Sequence, residues 1–242
     1  MLVRIAENLQ SMAWAWLGER ENIRRSGLFD ENWYNEKFPP TKGQSADAIE
    51  RYLSVGAAQG HRPHPLFDVD WYLRTNPDAA SSRLSPLGHF IKVGSARAAS
   101  PHPLFDPTWY RAQTPSLSAD SKKLFLHFVS DGARQGLSPH PAFDSSFYLA
   151  AHPQLAANGI NPLTHYVEIG ASQGYAPNAH FDSRWYAETY PEAPRSGENP
   201  LVHFIYHGVQ KGFRPHPQVD VELYISTHGE APSDPLAAYL QF

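Results

Sequence analysis

Thirteen histidines are the residues best equipped for chemistry in this sequence, and most of them fall into two columns. His89, His127, His165 and His203 recur at intervals of 38 residues. So do His64, His102 and His140, with His216 two intervals further on. Imidazole is the commonest metal ligand, and His-rich tracts can bind metal. Ligands of one metal must converge within a few ångströms, whereas equivalent positions of a repeat lie a whole unit apart. No metal site is therefore expected. Each histidine should instead bond a neighbouring cap aspartate or backbone carbonyl, which makes His89, His127, His165 and His203 inter-repeat histidines.

The aspartates repeat too: Asp30, Asp68, Asp106, Asp144, Asp182 and Asp220. Paired carboxylates do acid–base work in glycosidases, but such a pair occurs once, in a cleft, at a defined separation. Six copies, each just ahead of an apolar run, read as structural helix caps whose carboxylates accept free backbone N–H groups. A third column holds Trp33, Trp71, Trp109, Phe147 and Trp185, each followed by tyrosine. Aromatic rings stack on sugars, yet these are among the few large apolar side chains of each unit. Burying each is worth roughly 1.5–3 kcal/mol. They are expected to form the core, with the tyrosine hydroxyls free to reach the surface. The sequence has no Gly-rich phosphate loop, no Gly-x-Ser-x-Gly and no His-Glu-x-x-His. It reads as a non-enzyme with no cofactor.

All of these columns belong to one 38-residue repeat without insertions, the signature of a stacked array. Five complete copies span 29–66, 67–104, 105–142, 143–180 and 181–218, and 219–242 is a partial sixth. Residues 1–28 align with the second half of a unit, Trp14 with Tyr52 and Gly18 with Gly56, and are expected to be a cap helix over about 3–24. Within a unit, Phe67-Asp68…Tyr72 has the spacing of a hydrophobic staple around an N-cap. Asn76-Pro77 breaks the first helix and can start a second. Ser85-Pro86, Asn161-Pro162 and Asn199-Pro200 start a longer helix. Gly136, Gly174 and Gly212 lie where a left-handed residue would end it. A mid-helix glycine column (Gly56, Gly94, Gly132, Gly170, Gly208) implies close approach of a neighbouring backbone, because each costs roughly 1 kcal/mol against alanine. Pro-His-Pro connectors then lead to the next Phe-Asp. The third copy departs from this plan, with Ser121-Lys122-Lys123-Leu124 in place of the capping residue and proline. The reading is all-α: a solenoid-like array of two to three helices per repeat.

A formal charge of −4 without a basic cluster argues against nucleic acid as a partner. The sequence contains no cysteine, which excludes disulfides and thiolate metal sites. The apolar run at 12–17 is too short for a membrane span and lacks a cleavage site. A cytoplasmic chain is expected, with peripheral contact at the inner face of the membrane through Trp14 and Trp16 as the alternative. The apolar tail (Leu236, Tyr239, Leu240, Phe242) lacks the polar face of a terminal cap, and continuation of the natural protein beyond Phe242 is expected.

The Phe-Asp-x-x-Trp-Tyr-Leu…Asn-Pro-Asp and Pro-Leu-x-His-Phe…Gly…Gly…Pro-His-Pro pattern resembles a bacterial repeat. It occurs beside surface-polysaccharide glycosyltransferases, including those related to rhamnan synthesis proteins, and in some large secreted proteins. The resemblance covers nearly the whole chain. It implies a non-catalytic interaction or scaffold segment, with a protein partner or a glycosyltransferase domain, and with catalysis outside these residues. The alternative it leaves is a carbohydrate-binding module that holds a polysaccharide along a repeated face.

Overall fold

The computed structural model describes residues 17–219. The expected cap Asp220, Trp14 and Trp16, and residues 220–242 of the partial sixth repeat lie outside them. The described residues are helical, with two isolated β-bridges, His140 to Phe143 and Asn178 to Phe181, and no β-strand. The chain divides into two compact units. One comprises residues up to 103 together with 117–126, and the other comprises 104–116 with those from 127 onward.

Residues 17–26 form helix α1. Each repeat then opens on a two-turn helix: α2 (Glu31–Lys37), α4 (Val69–Thr75), α7 (Pro107–Gln113), α9 (Ser145–Ala151) and α12 (Ser183–Thr189). The aspartate before each helix has extended backbone, and its carboxylate accepts an N–H of the first turn. The acceptances are from Trp33 at 3.0 Å, Trp71 at 2.8 Å, Thr108 and Trp109 at 2.8 and 3.0 Å, Phe147 at 2.9 Å and Trp185 at 2.9 Å. The staple forms around the cap, with Phe and Tyr ring centroids 5.0–5.6 Å apart in all five copies. These helices are too short to persist in water alone. Cap and staple define their starts, and packing holds them.

Short helices α5 (Pro77–Ala80), α10 (Pro153–Ala157) and α13 (Glu192–Ser196) follow in the second, fourth and fifth repeats. The last helix of each repeat is α3 (Ala48–Arg51), α6 (Pro86–Lys92), α8 (Ser121–His127), α11 (Pro162–His165) or α14 (Pro200–His203). Asp47, Ser85, Asn161 and Asn199 cap four of them. In the third repeat the start shifts upstream, and Asp120 accepts the Lys122 N–H at 3.0 Å. Four of these helices widen into a π-helical turn: Tyr52–Gly56, Phe128–Gly132, Tyr166–Gly170 and Phe204–Gly208. They end on left-handed Gly60, Gly136, Gly174 and Gly212. The second repeat narrows instead to a 3-10 turn, Gly94–Arg97, and ends on Ala98 with φ at +56°.

The core of a repeat is a three-ring cluster. Tyr72 meets Phe67 at 5.3 Å and Phe90 edge-on at 5.8 Å, and Phe67 meets Phe90 at 5.8 Å. The other four repeats reproduce this geometry, as with Phe143, Tyr148 and Tyr166. Each member contributes burial of about 1.5–3 kcal/mol, and edge-on contacts add to it. A backbone bond then fastens each 38-residue segment end to end. The N–H of Asp30 donates to the Pro63 carbonyl at 3.0 Å, and Asp68 to Pro101, Asp106 to Pro139, Asp144 to Pro177 and Asp182 to Pro215 do the same at 2.8–3.1 Å.

Candidate functional site

The tyrosine column, rather than the tryptophan column, fills the core. Tyr34, Tyr72, Tyr110, Tyr148 and Tyr186 are at most 1% exposed, so the expectation of hydroxyls at the surface is corrected. Trp33, Trp71, Phe147 and Trp185 are only partly buried, and Trp109 is 42% exposed. Neighbouring residues of a helix point about 100° apart, so Trp and Tyr cannot both face inward. The staple from Phe at N′ draws in N4, which is tyrosine. Tryptophan is left on the flank, where Arg62 covers Trp33 at 5.5 Å, Arg74 covers Trp71 at 5.3 Å and Arg214 covers Trp185 at 5.9 Å.

Each buried tyrosine hydroxyl meets a histidine 17 residues later in its own repeat. Tyr72 to His89 Nδ1 is 2.8 Å, Tyr110 to His127 2.7 Å, Tyr148 to His165 2.9 Å and Tyr186 to His203 2.9 Å. The inter-repeat reading of this histidine column is therefore corrected. The partner is the tyrosine of the same unit. In the first repeat Arg51 occupies the histidine position, and Tyr34 turns to His61 Nδ1 at 3.1 Å. The glycine column has the same origin. A methyl on Gly56, Gly94, Gly132, Gly170 or Gly208 would overlap the tyrosine hydroxyl of its own repeat. The close neighbour is that side chain, where a backbone had been expected.

Burial pushes the tyrosines up from their ordinary value, above all Tyr52, Tyr72, Tyr110, Tyr148 and Tyr166. Burial pushes His61, His152, His165 and His203 down, with His152 adding to the effect at His165 and His207 adding to it at His203. His89 Nε2 lies 3.4 Å from Asp78, which also accepts from Arg97 at 2.8 Å. This Asp–His–Tyr line has the connectivity of a catalytic triad, but its hydroxyl is buried and its tyrosine is pushed away from ionisation. Among the described residues no group of three or more His, Asp or Glu side chains is arranged to hold a metal ion, and no helix is long and apolar enough to cross a membrane.

Sequence reasoning missed the Tyr–His pairs, although the constant spacing of 17 and the glycine five residues after each histidine carried the signal. It also missed a packing pair near the end of the last helix. Phe38 stacks on His61 at 3.8 Å and Tyr190 on Phe213 at 4.0 Å, and His152 lies tilted against Tyr175 at 4.5 Å. The second and third repeats hold smaller residues at both positions, Asn76 with Ala99 and Thr114 with Leu137. Contacts between adjacent repeats are mixed. Tyr166 reaches Ser183 Oγ at 3.0 Å, and Asn178 Nδ2 donates to the Ala142 carbonyl at 2.7 Å. No protein-family model, curated protein or solved structure matches the chain.

Proposed function

We propose that the chain is a non-catalytic helical-repeat array. In this reading it is a solenoid-like stack of the five 38-residue units, and it serves as an interaction or scaffold segment for a partner. The partner best fitted to the repeat pattern is a glycosyltransferase that builds a bacterial surface polysaccharide. One observation carries the non-catalytic part. The repeated polar groups are spent inside their own units: the cap carboxylates on helix N–H groups, and the tyrosine hydroxyls on histidine Nδ1 atoms. A catalytic group must instead reach substrate. What remains for recognition is the set of positions that differ between copies, such as Asp70, Thr108, Ser146 and Arg184, all exposed.

The second reading, a carbohydrate-binding module, takes its support from the flanking Trp column, and Trp109 in particular. It takes none from the tyrosines, which are buried. The two readings separate in one experiment on the purified chain. Binding is measured to the purified catalytic domain of a bacterial surface-polysaccharide glycosyltransferase, and to a broad glycan array. The scaffold reading expects saturable protein binding that is lost on charge reversal at Asp70 and Arg184. Glycan binding lost in Trp109→Ala, with no protein binding, would favour the module. Nucleotide-sugar hydrolysis or transfer by the chain alone would refute both.

A further inference from the structure

The second histidine column sits in the connectors, where it replaces a backbone partner. His64 Nδ1 accepts the Leu66 N–H at 3.0 Å, His140 Nδ1 accepts the Ala142 N–H at 3.1 Å, and His216 Nδ1 accepts the Gln218 N–H at 3.1 Å. His64 and His140 are 9% and 7% exposed. The fourth repeat carries Asn178 at this position, and the amide does the same work. Its Oδ1 accepts the His180 N–H at 2.7 Å, and its Nδ2 donates to the carbonyl of Ala142 on the preceding connector. The position therefore demands an acceptor on one side. A neutral imidazole with its proton on Nε2 supplies one through Nδ1, and an imidazolium, which is a donor on both nitrogens, does not.

We propose that the connector histidines are an acid-sensitive latch: protonation of His64 and His140 removes the acceptor that shapes the turn into the next Phe-Asp staple and loosens that joint, while the Asn178 joint stays closed. The backbone N–H would then face an N–H⁺, and a buried unpaired donor is costly. Charged groups lie near the latch in the chain. Arg62, two residues before His64, is cationic, and its guanidinium points to the Pro65 carbonyl at 3.4 Å. Asp68 and Asp144, the carboxylates that follow His64 and His140, are engaged by the N–H groups of Trp71 and Phe147. From the elements packed alongside, Phe125 stands edge-on to His64 at 5.6 Å, and the neutral Asn178 side chain reaches Ala142 beside His140.

The test uses the whole chain with a double variant, His64→Asn and His140→Asn, and with the reverse change Asn178→His. Unfolding midpoints in urea and amide-exchange protection are compared at pH 7.5 and pH 5.0. A histidine that must stay neutral to fold favours the unfolded state by up to about 30-fold at pH 5.0, starting from an ordinary value of ~6.5. The wild type should lose protection at the Leu66 and Ala142 amides by about that factor. The double variant should keep it, and Asn178→His should acquire a new acid loss at the His180 amide. An acid loss in the double variant as steep as in the wild type overturns the proposal. If that variant does not fold, ring ¹⁵N spectra of the wild type decide. Nδ1 of His64 and His140 should remain unprotonated below pH 6 for as long as the native amide spectrum persists. Ordinary titration near pH 6.5 within an intact native spectrum overturns the latch.

Discussion

The glycine column is best tested through Gly170. The methyl of Gly170→Ala would overlap the Tyr148 hydroxyl, which bonds His165 Nδ1 at 2.9 Å in a site where Tyr148 is fully buried. The hydroxyl must move, which forfeits a buried hydrogen bond worth about 1–3 kcal/mol when one partner is left unpaired. Overpacking strain adds about 1–3 kcal/mol. Against this, alanine gains roughly 1 kcal/mol over glycine in helical backbone. The single change should therefore cost about 3 kcal/mol. Tyr148→Phe removes the obstacle along with the bond, and should cost about 1–3 kcal/mol by itself. In that background the nearest atoms to the new methyl are Cζ of residue 148 and Cδ2 of Tyr175, each at 3.3 Å. A shift of a few tenths of an ångström accommodates it, so Gly170→Ala should become neutral or slightly stabilising. The coupling between the two changes is about 3 kcal/mol, at the upper end for residues in contact. Urea denaturation followed by circular dichroism on the four proteins of the cycle measures it. Equal costs of Gly170→Ala in both backgrounds would refute the assignment of the column to the tyrosine hydroxyl.

Three further outcomes follow from other repeats. Ser145 Oγ is buried without a hydrogen-bond partner, whereas Ser183, its counterpart, is bonded by Tyr166. Phe128→Tyr should supply the missing hydroxyl and raise stability by about 1 kcal/mol, and Ser145→Ala in that variant should cancel the gain in a urea titration. Ala98 is a non-glycine residue with φ at +56°. Ala98→Gly should relieve roughly 1–2 kcal/mol of backbone strain and give back about 0.4–1 kcal/mol in unfolded-chain entropy, a net rise in the urea midpoint worth about 0.5 kcal/mol. The buried tyrosines set an alkaline limit. Their folded values are raised by burial, so the stability they contribute is complete below the unfolded value near ~10 and falls as pH rises from there toward the folded values. Midpoints measured from pH 8 to 11 should decline above pH 10, with phenolate absorbance appearing only as the chain unfolds. Phenolate formation in the folded protein near pH 10 would contradict the burial argument.

The parts of the fold legible in the sequence are those decided within a few residues along the chain. Asp68 and the N–H of Trp71 are three positions apart, Phe67 and Tyr72 five, and Gly174 ends its helix because it alone must turn left-handed there. Such contacts depend on local backbone geometry, so their residue types and spacing specify them, and the 38-residue period multiplies them in register. The all-α character follows from the same signals. Tertiary packing decided what lies inside. A two-turn helix with Trp71 beside Tyr72 has no periodicity long enough to choose a face; the staple favours the tyrosine, and the approach of α6 completes its burial by bringing His89 to its hydroxyl. The glycine column could be seen in the sequence, but its cause could not, because the Tyr148 hydroxyl that requires Gly170 comes from 22 residues earlier in the chain. The connector histidines owe their meaning to packing as well. Pro-His-Pro names the residue, and only the fold aims its Nδ1 at a backbone N–H and buries it, as at His140. Local geometry wrote the repeat, and burial assigned each side chain its partner.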